Sequence, residues 1–392
     1  MSVARVAPRV VFAVNDAIMV LYGISAVMIG TTLPEIIEGL DLSLGQGGTV
    51  VSMQNAGGIV ALLAAALVAD RIAKGRWVIG FFLLLGGLLF ATGFAGSYIA
   101  LVWLFFASGA AIRLLDIMLN AYTGDVAAGN RSRVMNLLHM FFSIGAFIGP
   151  LLASALLSAE VPWRGIYRIV GASFIGAVAL GSPLLRAYGL NRSATRTDGS
   201  DDAASSGSLL RLDLFALGLV LLLYGIHQSG VTAWLPYYLI HDAGFSETAA
   251  GAGLSAYWVG VIASRLLASR LAGTVGPDRI LVTGGVAGGV AVLASILTDT
   301  VAGFVVAAVL TGATIPIAMT LAYGRLPART GTVTAALSIF MLVGRLVGPW
   351  IIGAVGDVVG IGSSILVVAF SLLMAGVVGI GGLRKDVEVD AP

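Results

Sequence analysis

Four ionisable side chains interrupt long apolar stretches of the sequence: Asp16, Arg113, Asp116 and His139. Ionisable groups in such surroundings are costly to bury and usually face a cavity or a partner. Counting about 1.5 Å of helical rise per residue places all four in one layer near the same end of their segments. Two carboxylates near one guanidinium suit the uptake and release of a proton. The alternative is a salt bridge that only locks helices together.

A second polar set lies deeper, roughly 12–22 Å from one end of the apolar stretches. It consists of Gln54, Asn55, His227, Gln228, Tyr257, Trp258 and Arg345. Amides supply fixed donors and acceptors and aromatic faces stack on sugar rings, so the set suits a polyhydroxylated ligand. Alternatively, the aromatic rings are core packing, the amides bond between helices and His227 bonds a neighbouring carbonyl. Arg345 is expected to meet a substrate anion, a carbonyl cluster or an acid from the other half of the chain.

Membrane helices must position these residues. The chain is 58% hydrophobic and 11% charged, with a mean hydropathy of +1.00, and a soluble protein of 392 residues does not bury that much apolar surface. Apolar runs of about 20 residues, the length that crosses a bilayer core, recur along it. Period-two alternation is absent, which argues against an outer-membrane barrel. The twelve predicted spans are 10–33, 46–68, 77–95, 98–121, 134–157, 165–186, 212–240, 246–268, 279–297, 301–322, 332–353 and 360–383.

Composition and motifs argue against several other classes of protein. The net charge is only +2 and the basic residues are scattered among short loops, so no nucleic-acid partner is expected. The sequence has no cysteine, which excludes disulfides and thiol chemistry. It also lacks a zinc-spaced histidine cluster, a Gly-x-Ser-x-Gly elbow and a phosphate-binding Gly-x-x-x-x-Gly-Lys-Ser/Thr loop. The chain is therefore expected to be neither an enzyme nor an ATP-driven pump, and to need no cofactor.

The distribution of Lys and Arg predicts the orientation. With the amino terminus inside, only Arg164 and Arg168 of the 22 basic residues fall outside, and Arg113 and Arg345 lie within spans. All the others fall on the inner side, so both termini are predicted to be cytoplasmic. The first apolar run is too long for a signal-peptide core and is expected to remain in the membrane.

A polar segment rich in small residues, NRSATRTDGSDDAASSGS at 191–208, divides the chain. Its composition predicts a flexible linker. The predicted organisation is a six-helix bundle at 1–190, a cytoplasmic linker at 191–211 and a second six-helix bundle at 212–392.

The two halves share short repeated sequences. LYGISAVMIGTTLP begins at Leu21 and LYGIHQSGVTAWLP at Leu223, while GAFIGP begins at Gly145 and GRLVGP at Gly344. The offsets agree closely, so the halves are predicted to be parallel structural repeats. Transporters built from such repeats bind substrate near the bilayer midplane, between the halves.

The sequence ADRIAKGR at Ala69–Arg76, together with this organisation, resembles the major facilitator superfamily. The family's loop signature reads Gly-x-x-x-Asp-Arg-x-Gly-Arg-Arg. In this chain Ala66 replaces the leading glycine, and one extra residue precedes the second glycine, Gly75. Asp70 and Arg71 are retained, and the resemblance assigns them to a cytoplasmic gate.

The resemblance implies two pseudo-symmetric six-helix bundles around a central cavity. Helices 1 and 4 line that cavity in the superfamily, which would bring Asp16, Arg113 and Asp116 within reach of one another.

Within the superfamily, the pattern D-x-x-x-N at Asp116 and Asn120, followed by RVMNLLHMFFSIGAFIGP, resembles the fucose-permease branch. LYGIHQSGVTAWLP resembles that branch's helix 7, with His227 in place of an acid. The resemblance implies that Asp116 handles the coupling proton, and it adds Asn120 to the substrate-binding candidates. The branch's helix 1 acid is replaced by Gly30, and Asp16 lies elsewhere on that helix.

These patterns predict proton-coupled uptake of a sugar or similar small polar solute by alternating access. Proton-driven efflux of drugs or lipid-like compounds is the alternative, because efflux facilitators carry Gly-Pro elements like Gly149-Pro150 on helix 5. Against efflux, Ala153-Ser154 replaces the Gly-Gly of that motif and Phe105 stands where an arginine is expected. A membrane enzyme or a receptor is the third possibility. The expected setting is a monomer in the inner membrane of a prokaryote, with a small-molecule substrate, surrounding lipid and H+ as the coupling ion.

Overall fold

The computed structural model describes residues 8–65, 74–127, 131–181, 184, 188, 212–326 and 330–383. Those residues are helical apart from short connections, and none of them forms a strand. The expected all-helical fold is confirmed. The helices are α1 (Pro8–Gly39), α2 (Leu44–Ala65), α3 (Lys74–Thr92), α4 (Tyr98–Val126), α5 (Arg131–Ser158), α6 (Trp163–Leu180), α7 (Leu212–His241), α8 (Glu247–Val275), α9 (Pro277–Leu297), α10 (Ala302–Thr311), α11 (Thr314–Arg325), α12 (Thr330–Val359), α13 (Ile361–Ser364) and α14 (Leu366–Leu383).

The predicted spans coincide with these helices. Within the described residues, eleven segments are long and apolar enough to cross a membrane. The sixth predicted span, 165–186, overlaps α6, which ends at Leu180 and is not among those eleven segments. Hydropathy locates the spans well because every backbone polar group inside a bilayer must be bonded within its own helix.

The tenth predicted span, 301–322, is broken into α10 and α11 around Gly312 and Ala313. Pro316 explains the break, because proline has no N–H and its ring clashes with the carbonyl four residues earlier. The backbone N–H of Ala313 donates instead to Ser264 Oγ on α8, at 3.0 Å. Hydropathy alone did not indicate this interruption.

The chain divides into two compact units, residues 1–42 with 49–199 and residues 43–48 with 200–392. In the first unit α1 packs against α5, and α3 packs against α4 and α6. In the second unit α7 packs against α12 and α14, and α9 packs against α10 and α14. The short segment 43–48, which contains the first turn of α2, groups with the second unit.

Glycines allow a close helix crossing in each unit. In the first, a Cβ added to Gly23 of α1 would lie 2.3 Å from the backbone oxygen of Phe142 on α5. In the second, a Cβ added to Gly225 of α7 would lie 2.5 Å from the backbone oxygen of Met341 on α12. Small residues allow membrane helices to approach at this distance. Gly23 and Gly225 occupy the same position of the repeated LYGI sequence, so each half has the same crossing.

Asp357, near the end of α12, caps the start of α2. Its carboxylate accepts hydrogen bonds from Ser43 Oγ (2.8 Å), the Leu44 N–H (2.7 Å) and the Gly45 N–H (2.9 Å). A carboxylate at this position satisfies N–H groups that have no intrahelical partner and interacts favourably with the helix dipole.

Candidate functional site

Asp116 is held by two neighbours on its own helix, α4. Arg113 Nη1 lies 3.3 Å from Asp116 Oδ2, and Asn120 Nδ2 donates to Asp116 Oδ1 at 2.9 Å and to its backbone oxygen at 2.8 Å. Spacings of three and four residues place these side chains on one helix face. Within the ion pair the Arg113 side chain is 26% exposed and the Asp116 side chain 23% exposed. The Asp116 carboxylate is thus hydrogen-bonded but still partly exposed.

The cluster also contains polar atoms without a partner. Arg113 Nε and Asn120 Oδ1 are buried and make no hydrogen bond to the residues that the structure describes. Helix α2 passes beside the arginine, because a Cβ added to Gly58 would lie 3.9 Å from Arg113 Cβ. A buried unsatisfied polar atom costs about 1–3 kcal/mol, so these atoms favour water or a ligand nearby.

The two amides of α2 lie in the first unit with this cluster. Asn55 Nδ2 donates to the backbone oxygen of Val51 on its own helix at 3.3 Å, and both Gln54 and Asn55 are partly exposed. The α2 backbone is pressed onto α4 here, since a Cβ added to Gly109 would lie 1.7 Å from the Gln54 backbone oxygen.

Asp16 on α1 and His139 on α5 are the other two residues of the predicted proton-coupling set. The Asp16 side chain is half-buried, and within the described part of the chain it makes no ion pair or hydrogen bond. Its neighbour Asn15 is fully buried and joins two other elements: Asn15 Nδ2 donates to Thr123 Oγ1 at 2.8 Å, and the Tyr188 hydroxyl donates to Asn15 Oδ1 at 2.6 Å. His139 is exposed on α5.

The polar set of the second unit forms one buried cluster around α7. His227 is 0% exposed, Gln228 3%, Tyr257 0% and Trp258 7%. The His227 ring lies 6.1 Å from the Tyr257 ring, and the Tyr257 ring is perpendicular to the Trp258 ring at 6.1 Å. Four of the residues predicted from sequence to bind substrate are therefore brought together.

A chain of hydrogen bonds fixes the Gln228 amide. Arg345 Nη2 on α12 donates to Gln228 Oε1, and Gln228 Nε2 donates to the Tyr224 hydroxyl at 3.1 Å. Arg345 therefore contacts an amide oxygen, a partner that the sequence did not indicate. Tyr224 was also missed, although its position one turn before Gln228 is a usable signal.

His227 Nε2 and the Tyr257 hydroxyl are buried without a hydrogen-bond partner among the described residues. The other ring nitrogen of His227, Nδ1, lies 3.0 Å from the backbone oxygen of Val368 on α14. The carbonyl contact weighed as an alternative for His227 is thus present, but it accounts for only one of the two nitrogens.

The gate residues expected from the loop motif, Asp70 and Arg71, lie outside the described residues.

Comparisons with known proteins agree on one family. A family model described as Major Facilitator Superfamily matches residues 17–246 and 217–390. An uncharacterized transporter, y4wD of Sinorhizobium fredii, is 26% identical over 271 residues, which cover 68% of this chain and 70% of that protein. The uncharacterized MFS-type transporter YcaD of Escherichia coli is 26% identical over 256 residues, which cover 63% of this chain and 61% of YcaD.

Solved structures share the fold at low sequence identity. A bacterial homologue of the human lysosomal transporter Spinster, inward-facing and unoccupied, has a TM-score of 0.78 at 16% identity, covering 96% of this chain and 97% of that chain. The nucleoside transporter NupG has a TM-score of 0.73 at 14% identity, covering 96% of this chain and 99% of that chain.

Proposed function

The chain belongs to the major facilitator superfamily, and we propose that it is a proton-coupled transporter that imports a sugar or a similar small polar solute by alternating access. Its relatives and structural neighbours are transporters and not enzymes, and it is a multi-pass membrane protein of that type. The names of the curated relatives quoted above give no solute and no coupling ion, so the proposal depends on side-chain chemistry.

The arrangement of Asp116, Arg113 and Asn120 carries the proposal. A partly exposed ion pair between residues three apart on a helix contributes only about 0.2–1 kcal/mol. The pair can therefore break without a large loss of stability, which frees the Arg113 guanidinium. An acid that is reachable and weakly paired can exchange a proton during each transport cycle, whereas a structural lock would be buried and tightly bonded.

The cluster around α7 supports a hydroxylated solute. It presents an amide in a fixed orientation, an imidazole nitrogen, a phenol and aromatic faces. Few polar groups in a mostly aromatic surround are typical of small-molecule sites, and flat aromatic faces stack on sugar rings.

The proposal is tested by Asp116→Asn in proteoliposomes with an imposed pH gradient. The amide keeps the shape of the carboxylate but cannot release a proton at physiological pH. We expect loss of uphill accumulation with retention of solute exchange at equal concentrations on both sides. Solutes are first chosen by thermal-shift screening of D-glucose, D-galactose, L-fucose and uridine.

Asp125→Asn is the matched control, because Asp125 lies on the same helix and pairs with Lys74 at 2.7 Å at its end. This variant should accumulate solute as the wild type does. Uphill accumulation by Asp116→Asn at the wild-type level would refute the assignment of the coupling proton to Asp116.

Efflux is the second candidate function, because efflux members of the family carry a Gly-Pro pair on helix 5, like Gly149-Pro150 on α5. A Cβ added to Gly149 would lie 2.9 Å from the backbone oxygen of Ile24 on α1. A Gly-Pro pair at a tight crossing allows a bend that either direction of transport requires. Inside-out vesicles distinguish the two directions: ATP-independent, gradient-driven uptake of ethidium by such vesicles, without transport of the sugars, would support efflux.

A further inference from the structure

The two ring nitrogens of His227 have different hydrogen-bonding roles. Nδ1 lies 3.0 Å from the backbone oxygen of Val368, and a carbonyl oxygen can only accept. Nδ1 must therefore carry the proton. A neutral imidazole has one proton, and a charged imidazolium is costly to bury completely. Nε2 is then a bare acceptor, fixed in direction by α14.

The Tyr257 hydroxyl lies on the neighbouring helix α8 and is also fully buried without a partner in the described part of the chain. Its ring and the His227 ring are 6.1 Å apart between centroids. The two groups do not bond each other. A hydroxyl group placed between them can donate to His227 Nε2 and accept from, or donate to, the Tyr257 hydroxyl.

The side-chain amide of Gln228, in contrast, already has hydrogen-bond partners. Both ends of Gln228 are already engaged, by Arg345 and by the Tyr224 hydroxyl, while the Tyr224 and His227 rings lie 6.3 Å apart. Gln228 therefore supports the cluster, whereas His227 Nε2 and the Tyr257 hydroxyl have open hydrogen-bonding capacity among the described residues.

We propose that His227 is a specificity-determining residue whose Nε2 accepts a hydrogen bond from a hydroxyl group of the solute, with Tyr257 as the second contact. This inference rests on the proposed transport of a polar solute and narrows the solute to a neutral hydroxylated compound. A carboxylate has no proton to donate at this position and would face the lone pair of Nε2. The site selects a sugar over the corresponding sugar acid.

Two substitutions separate the ring nitrogens. His227→Asn places an amide at the level of Nδ1, which retains the contact to Val368 but removes the acceptor at the level of Nε2. His227→Gln reaches the level of Nε2 and retains an acceptor there. His241→Gln, at the exposed end of the same helix, is the control for replacing a histidine on α7.

The probes are D-glucose and D-galactose, their uronic acids and their monodeoxyfluoro analogues, in which fluorine replaces one hydroxyl at a time and cannot donate. For the wild type, the His241→Gln and the His227→Gln proteins we expect the hexoses to bind more tightly than the uronates. One fluoro analogue should bind about tenfold more weakly than its parent, which corresponds to about 1.4 kcal/mol. His227→Asn should bind the parent hexose more weakly by a similar factor, and the difference in affinity between the parent hexose and its fluoro analogue should disappear.

A second measurement needs no solute. Nitrogen-15 NMR of histidine-labelled protein, with the His227 signals identified by their loss in His227→Gln, should report a protonated Nδ1 and an unprotonated Nε2. The opposite tautomer would overturn the inference.

The inference is also overturned if none of the hexoses binds, if uronates bind more tightly, or if every fluoro analogue keeps its parent-to-analogue ratio in His227→Asn. These outcomes leave proton coupling through Asp116 intact. Conversely, uphill accumulation by Asp116→Asn together with the expected binding pattern would contradict the coupling proposal and leave the role of His227 standing.

Discussion

Replacing Gly344 with alanine tests whether the glycine crossing between α7 and α12 holds the second unit together. A Cβ at Gly344 would lie 2.0 Å from the backbone oxygen of Leu222 and 2.8 Å from its carbonyl carbon, whereas real Cβ contacts stay above 3.0 Å. Both atoms are backbone, so no side chain can rotate away. The helices must separate locally by roughly 1 Å or more, in an interior that is close-packed.

The expected size follows from two opposing effects. Overpacking costs about 1–3 kcal/mol, and alanine regains up to about 1 kcal/mol over glycine in a helix. The net loss is on the order of 1–2 kcal/mol. For a unit of this size that corresponds to a fall in unfolding temperature of roughly 2–8 °C. Arg345 follows Gly344 directly, so the separation also moves the guanidinium that bonds Gln228.

The assay is thermal unfolding of purified protein in detergent, followed by hexose binding. The control is Gly87→Ala in the middle of α3, where an added Cβ would meet nothing within 4 Å. Gly87→Ala should unfold at or slightly above the wild-type temperature, because it has the helix-propensity gain without the clash. If Gly344→Ala and Gly87→Ala unfold at the same temperature, the close crossing does not determine stability and the reasoning fails.

Two further predictions concern packing and capping. Gly86→Ala should destabilise the protein by about 1–3 kcal/mol, because the added Cβ would lie 2.5 Å from Phe174 Cβ. The neighbouring Gly87→Ala should not destabilise it, and equal unfolding temperatures for the two variants would contradict this prediction. Asp357→Ala should lower stability by about 1–2 kcal/mol by removing the cap of α2, and Asp357→Asn should lose less because its amide oxygen still accepts; an unchanged unfolding temperature for Asp357→Ala would count against the cap.

Hydropathy was sufficient to predict the helical spans, because a bilayer requires about 20 apolar residues and internal backbone bonding wherever the chain crosses. It did not predict the break between α10 and α11. Pro316 breaks the helix, and the Ala313 N–H at the break is bonded by Ser264, a residue of another helix. A tertiary contact of this kind leaves no trace in the local pattern.

The contacts among the candidate site residues were only partly predictable from the sequence. Spacing along one helix was enough for Arg113, Asp116 and Asn120, because residues three and four apart share a face. Asp16 was expected beside them from the family resemblance alone, and its side chain makes no ion pair with that cluster in the described residues. The hydrogen bond from Arg345 to Gln228 could not be predicted from the sequence either, since it depends on the crossing of α7 and α12.

The two repeated halves share a close helix crossing but differ in the residue that follows it. Gly145 and Gly344 hold equivalent crossings, with added Cβ atoms 2.1 Å from the Val20 oxygen and 2.0 Å from the Leu222 oxygen. The next residue differs, because the first half has the fully buried Ala146 and the second has Arg345, which bonds Gln228.

The acid that we propose to carry the coupling proton also differs between the halves. At the 203-residue offset that relates Gly109 to Gly312, the position of Asp116 is occupied by Met319. In our proposal, the same arrangement of helices carries an exchangeable acid in one half and a hydrogen-bond acceptor for solute in the other. Asp116 and His227 lie in different units of the chain. We therefore expect Asp116→Asn to change proton coupling at constant hexose affinity, and His227→Asn to change hexose affinity at constant proton coupling. A single substitution that alters both equally would mean that the two functions are not divided in this way.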